Sequence, residues 1–206
     1  MGISIFFSVI IYVWFIKSDH FSAFRMWSLS NVFLFSSVLV FLKIISIVWP
    51  PIPGGLITMS AIPLVGWEKA YFADLTGSIL GSSITYFLGK KYGYKLLNHL
   101  FDEKVIEKIR KIKIKKSKEL EAIFTLRILT GSLFMEAITY GAGVLKIGFS
   151  NFLIATVASH LLVGIPSYFL FAQISTTGFS QTWFVNVTLF AFAFFAMYKL
   201  KGRYFE

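Results

Sequence analysis

The sequence predicts an all-α integral membrane protein, and three observations carry that prediction. Its 206 residues are 56% hydrophobic and 18% aromatic, with a mean hydropathy of +0.73, more apolar than soluble domains. Apolar runs reach spanning length, without the alternation of an outer-membrane barrel. One stretch, 124–148 (FTLRILTGSLFMEAITYGAGVLKIG), is as apolar as a span. Yet it contains Arg127 and Glu136, and Thr130, Gly131, Ser132, Gly141, Ala142 and Gly143 interrupt it. Irregular backbone at membrane depth survives only under cover of protein or beside a watery cavity. Ionisable residues there are costly and usually functional. The stretch therefore reads as a re-entrant helical hairpin with its tip at 130–132. The alternative is a plain helix whose Arg and Glu cancel each other's charge.

The elements follow in order, as one polytopic domain over 1–206. Residues 3–16 form a short or tilted membrane helix, or an interfacial one; they lack the flanks of a signal peptide. Residues 17–31 are polar enough for a surface segment. Residues 32–49 suffice for a span at about 1.5 Å per residue, with Lys43 snorkelling to the nearer interface. Pro50, Pro51 and Pro53 cannot continue a helix. The apolar run 56–65, holding Pro63, is too short to cross, so 50–65 reads as a first re-entrant hairpin. Residues 70–88 span, with Asp74 near the start and a Gly77-to-Gly81 spacing that admits a close neighbour. Between 90 and 118 stand eleven Lys or Arg residues, with apolar residues at three- to four-residue steps. That pattern predicts a basic amphipathic helix on an anionic lipid surface. After the 124–148 hairpin, 149–171 spans and carries His160 and Pro166. Residues 173–181 are a polar turn, and 182–198 span again.

Charge and composition exclude several classes. The net charge is +10 and cysteine is absent, which removes disulfides and thiolate metal sites. His20, His99 and His160 form no ligand cluster. There is no nucleic-acid recognition motif. Paired carboxylates and a nucleophile with its base are also lacking, so neither enzyme nor cofactor is expected. The block 90–118 belongs in the cytoplasm by the positive-inside rule. With both hairpins re-entrant, the basic C-terminus then also lies inside and the N-terminus outside, in the plasma membrane.

Shifting the chain by 82 residues aligns two halves. Gly66-Trp67 lies over Gly148-Phe149, Ala73 over Ala155, Leu80 over Leu162, and Tyr86-Phe87-Leu88 over Tyr168-Phe169-Leu170. With one hairpin opening outside and one inside, these are inverted repeats, the architecture of many secondary transporters.

Three stretches carry a family resemblance over about 50–171. They are Pro51-x-Pro53-Gly54; Gly81-x4-Tyr86-x2-Gly89-Lys90-Lys91-x-Gly93; and Arg127 with Tyr140-Gly141-x-Gly143 and Phe149-x2-Phe152. Their order and spacing resemble the DedA superfamily, the VTT domain or SNARE-associated Golgi protein family. The resemblance implies two re-entrant hairpins, inverted repeats and lipid movement between leaflets, as a scramblase or a polyprenyl-phosphate carrier. Many bacterial members carry acids where this chain has Gly55 and Ser82, and a second Arg within Gly-x-Arg where this chain has Gly131-Ser132-Leu133. The acidic residues left near membrane depth are Asp74 and Glu136.

A crossing phosphate needs compensation for its charge, and the planar fork of Arg binds it bidentately. Arg127 is the candidate, with Glu136 as its partner when no lipid is bound. Free backbone N–H groups at hairpin ends favour anions, which adds Gly54, Gly55 and Gly131; Tyr140 enters through the family motif. Asp74, Glu136 and His160 are candidates for proton coupling, although a lone histidine reads first as packed. The expected partners are membrane lipids, with anionic headgroups at 90–118. A proton- or ion-coupled solute transporter and a membrane assembly protein are the competing classes. The topology is checked by single-cysteine labelling: Gly54→Cys should react only with reagent added outside. Reaction from the cytoplasm alone overturns the assigned orientation.

Overall fold

The computed structural model describes residues 17–50, 52, 54–130, 135–177, 191 and 195. The expected helix 3–16 lies outside these residues, as does 182–198 apart from Ala191 and Phe195. The described residues are helical, in the order α1 (Asp19–Ser30), α2 (Val32–Val48), α3 (Gly54–Ser60), α4 (Ile62–Val65), α5 (Trp67–Leu100), α6 (Glu103–Arg110), a 3₁₀ turn (Lys116–Lys118), α7 (Glu119–Thr130), α8 (Met135–Val144) and α9 (Phe149–Thr177). The surface segment before α2 is thus itself a helix, bent by 100° from its successor.

Within α9, Phe149–Ile174 is long and apolar enough to cross a membrane. It replaces the expected polar turn with further helix up to Thr177. At 34 residues α5 has ample length. Its low apolarity comes from a buried stripe of Asp74, Ser78, Ser82 and Thr85, which faces protein. The outer surface is apolar where lipid would lie: Phe33 is 87% exposed, and Phe41, Phe72 and Ile154 are exposed too.

The same series occurs twice. A helix (α2 or α7) comes first, and a short helix (α3 with α4, or α8) comes next. A glycine, Gly66 or Gly148, then precedes a long helix. Gly66 has φ +88°, a left-handed value that glycine adopts without steric cost. Gly148 is used differently: its N–H donates to Glu119 Oε2 (2.9 Å), which also accepts from Asn151 (3.0 Å). Burial would raise the Glu119 carboxyl pKa, but the hydrogen bonds from Gly148, Asn151 and Lys116 hold it below the usual value.

The basic block is not one amphipathic helix. α5 continues through its first half to Leu100, kinked at Gly93 (φ 60°, ψ −147°). The amphipathic part is α6 alone, which starts after Asp102 in an extended conformation. It buries Ile106 and Ile109 against Leu97, Ala137 and Tyr140. Sequence periodicity ran through the Phe101-Asp102 break because apolar spacing alone does not register a helix cap.

α5 packs mainly against α2 and α8. With α8 it meets backbone to backbone. A Cβ on Gly89 would lie 2.3 Å from the Tyr140 carbonyl oxygen, and one on Gly143 would lie 2.1 Å from that of Tyr86. Neither neighbour is a side chain that can swing away. Gly143→Ala should therefore destabilise the protein by about 1–3 kcal/mol, the usual cost of overpacking. Gly55→Ala, with no atom within 4 Å of its new methyl, should leave the melting temperature in detergent nearly unchanged. An equal effect of the two substitutions would refute the close crossing.

Candidate functional site

Four helices converge on Asp74, which is 3% exposed. Lys43 Nζ from α2 lies 2.7 Å from its Oδ1, and Thr58 from α3 donates to the same oxygen at 2.6 Å. His160 Nε2 from α9 lies 2.7 Å from Oδ2; a carboxylate only accepts, so Nε2 carries the proton. Tyr168 donates its hydroxyl hydrogen to Thr58 Oγ1 (2.6 Å), which extends the chain of hydrogen bonds to the lower part of α9. The His160 ring stacks on Tyr71.

Lys43 does not snorkel to an interface. It is buried, and its stem runs past two glycines. A Cβ on Gly77 would meet Lys43 Cβ at 2.6 Å, and one on Gly54 would meet Ser46 Oγ at 1.8 Å. Thus Gly54, expected to offer its backbone to an anion, is a contact point for α2. Gly55 beside it faces open space, so the labelling cysteine for the topology belongs at Gly55, since Gly54 has no room for a side chain. The Gly77-to-Gly81 spacing does admit a neighbour, with Ile47 of α2 lying over Gly81.

Arg127 forms a second centre. It is 2% exposed, and its Nε donates to Ser159 Oγ at 3.0 Å. Ser159 passes its own hydrogen to the Thr156 carbonyl (2.9 Å). Arg127 Nη1 meets no hydrogen-bond acceptor among the described residues, nor does the hydroxyl of Ser82. The expected pairing with Glu136 is not made: the ion pairs among the described residues do not join the two. Glu136, half-buried at the start of α8, instead lies within electrostatic reach of both Lys43 and Arg127. The Tyr140 hydroxyl donates to the Val48 carbonyl (2.9 Å), a bond that satisfies the end of α2. Gly131 lies outside the described residues, as does Ser132.

The two centres meet on α9. Consecutive residues, Ser159 and His160, hold Arg127 and Asp74 respectively. Sequence reasoning named Asp74, His160, Arg127 and Glu136 but missed Lys43, Thr58, Ser159 and Tyr168. Lys43 carried a signal, a charge eleven residues into an apolar run; the three hydroxyls carried none. Among the described residues no group of three or more His, Cys, Asp or Glu side chains is arranged to hold a metal.

The VTT domain family model matches residues 52–176, more than half of the chain, and it takes in the helices that build both centres except α2, the source of Lys43. The chain belongs to the VTT domain family. That family, also called the DedA or SNARE-associated Golgi protein family, is the one its motifs resemble. Proteins of the VTT domain family are membrane-associated, in keeping with the apolar α9. A curated relative, an uncharacterised protein of Methanocaldococcus jannaschii, is 29% identical over 119 residues, covering 56% of this chain and 70% of the relative. No solved structure matches the chain significantly.

The buried ion pair makes a stability prediction. Lys43→Met should leave Asp74 short of one partner and cost about 3–5 kcal/mol, as breaking buried pairs does. Lys43→Met combined with Asp74→Leu should recover much of that loss. Thermal melts in detergent test both, and a Lys43→Met protein as stable as the wild type would show that the pair carries no stability.

Proposed function

We propose that this VTT domain protein moves phosphate-bearing lipids between bilayer leaflets, with Arg127 as the headgroup site. The observation that carries the proposal is a buried guanidinium held at one nitrogen by Ser159 while Nη1 finds no acceptor among the described residues. An Arg at bilayer depth costs about 2.5–3.5 kcal/mol on insertion scales, so an incompletely satisfied one marks a place for an anion. A phosphate oxygen is the acceptor that its fork fits. Glu136, near both cations, serves as the resting counter-charge in place of a direct partner.

The hairpin lengths support a re-entrant reading. Gly54–Val65 is an apolar unit of 12 residues, α7 has 12 and α8 has 10. At about 1.5 Å per residue each covers roughly 15–18 Å, against about 30 Å of hydrocarbon. The repeated series of elements, with the first hairpin opening outside and the second in the cytoplasm, gives inverted repeats that meet at α9. A proton- or ion-coupled transporter of a small solute is the second reading. The Lys43–Asp74–His160 cluster favours it, since charged side chains buried among apolar helices commonly mark an ion path.

Liposome lipid transfer and melting temperature, measured together, test the proposal. Arg127→Lys keeps the charge but loses the fork, so transfer should fall about tenfold or more with folding intact. Arg127→Ala should abolish transfer. Glu136→Gln should have a mild effect, because it removes a competing anion. A fully active Arg127→Met, Glu136→Leu double variant would defeat the assignment of Arg127.

A further inference from the structure

A half-open cavity of about 450 Å³ lies between α6, α7 and α8, within the range of small-molecule sites, about 300–1,000 Å³. Val105 and Ile109 line it from α6, Ile123 and Leu126 from α7, and Ile138 and Leu145 from α8. Among the described residues that line it, the charged side chain is Lys108. Around Lys108, α6 and the segment after it carry Lys104, Arg110, Lys111 and Lys113 against Glu103 and Glu107. The site is thus an apolar slot with a cationic edge. It is separate from the Arg127 centre, because Arg127 leaves α7 on another side, toward Ser159 of α9.

The slot selects its occupant by what it lacks. Its walls offer unpaired backbone groups only at the ends of α7 and α8 and just after α6, so an extended peptide would bury most of its N–H and C=O groups without partners. A helix, about 10–12 Å across with side chains, would not enter a cavity of about 450 Å³. A polar solute would lose its hydration to apolar walls. A flexible hydrocarbon chain suffers none of these penalties, and the cationic edge complements an anionic head at the end of that chain. We infer that the slot holds one acyl chain of an anionic phospholipid, with its headgroup phosphate at Lys108. The bound lipid bridges α6 to both arms of the second hairpin.

Native mass spectrometry of the full chain in mild detergent, titrated with phosphatidylglycerol or phosphatidylcholine of equal chain length, tests the inference. One phosphatidylglycerol should be retained at about tenfold lower concentration than phosphatidylcholine. Lys108→Gln should shrink that difference to about threefold or less. Gly141→Leu should fill the slot: a Cβ there already lies 3.4 Å from Ile109 Cγ2. It should abolish retention with the melting temperature preserved. Leu126→Phe fills the slot from α7, and Lys108→Gln decides should either filled variant fail to fold. Equal retention of the two lipids by the wild type overturns the inference. So does a retained lipid in a well-folded Gly141→Leu or Leu126→Phe protein, or no retention at all because detergent or another part of the chain occupies the slot. Arg127→Ala should lose lipid transfer yet keep the retained lipid. Loss of both would place that lipid at the transport centre and overturn the slot assignment, whereas loss of neither would count against Arg127 alone.

Discussion

A carboxylate taken out of water must be compensated on every side, and Asp74 sets that requirement for the whole helix arrangement. Lys43 comes from α2, Thr58 from α3 and His160 from α9. Each lies on a different helix, so satisfying one side chain fixes the relative position of four. The glycines serve the same end. Gly77 leaves room for the stem of Lys43, and Gly54 lets α3 close onto Ser46. A core of hydrocarbon side chains alone would permit sliding among these helices, because lipid tails solvate apolar surfaces as well as protein does. Directional polar contacts do not slide.

The rest of the architecture interlocks two halves. Tyr86 on the first long helix donates to the Ile147 carbonyl in the second half. Tyr168 on the second long helix reaches Thr58 on α3. The α5–α8 crossing places backbone on backbone at Gly89 and Gly143. On α9, adjacent side chains serve the two centres, so a turn of that helix which releases Arg127 from Ser159 also disturbs His160 against Asp74. Arg127 and Asp74 are thereby mechanically linked without touching.

Much of this was legible in the sequence, and the failures share a cause. The end of α2 announced itself through Pro50 and the prolines after it, since proline acts locally. The glycine spacing at Gly77 and Gly81 correctly predicted a close neighbour. The fate of Lys43 was misread because snorkelling and pairing look alike until the partner is known, and Asp74 stands 31 positions away. Arg127 was assigned to Glu136 because opposite charges are the conspicuous choice. Its actual contact, Ser159, is one hydroxyl among many along an apolar helix. The basic block was read as continuous because a cap such as Asp102 interrupts the backbone without interrupting the hydrophobic period.

The interlocking contacts also fix an order of events during synthesis. Asp74 emerges after Lys43 and Thr58, so two of its partners are already present, but His160 follows 86 residues later. Tyr86 precedes its acceptor by 61 residues, and Thr58 precedes Tyr168 by 110. At about 5–20 residues per second, the first half waits on the order of 10 s with its carboxylate only partly satisfied. During that interval it must rest against the insertion machinery or in the watery interface, because the hydrocarbon core offers no substitute for the missing imidazole. The nascent protein is therefore most exposed to quality control midway through its translation, and ribosome stalling between the two halves should be more damaging than stalling after Tyr168.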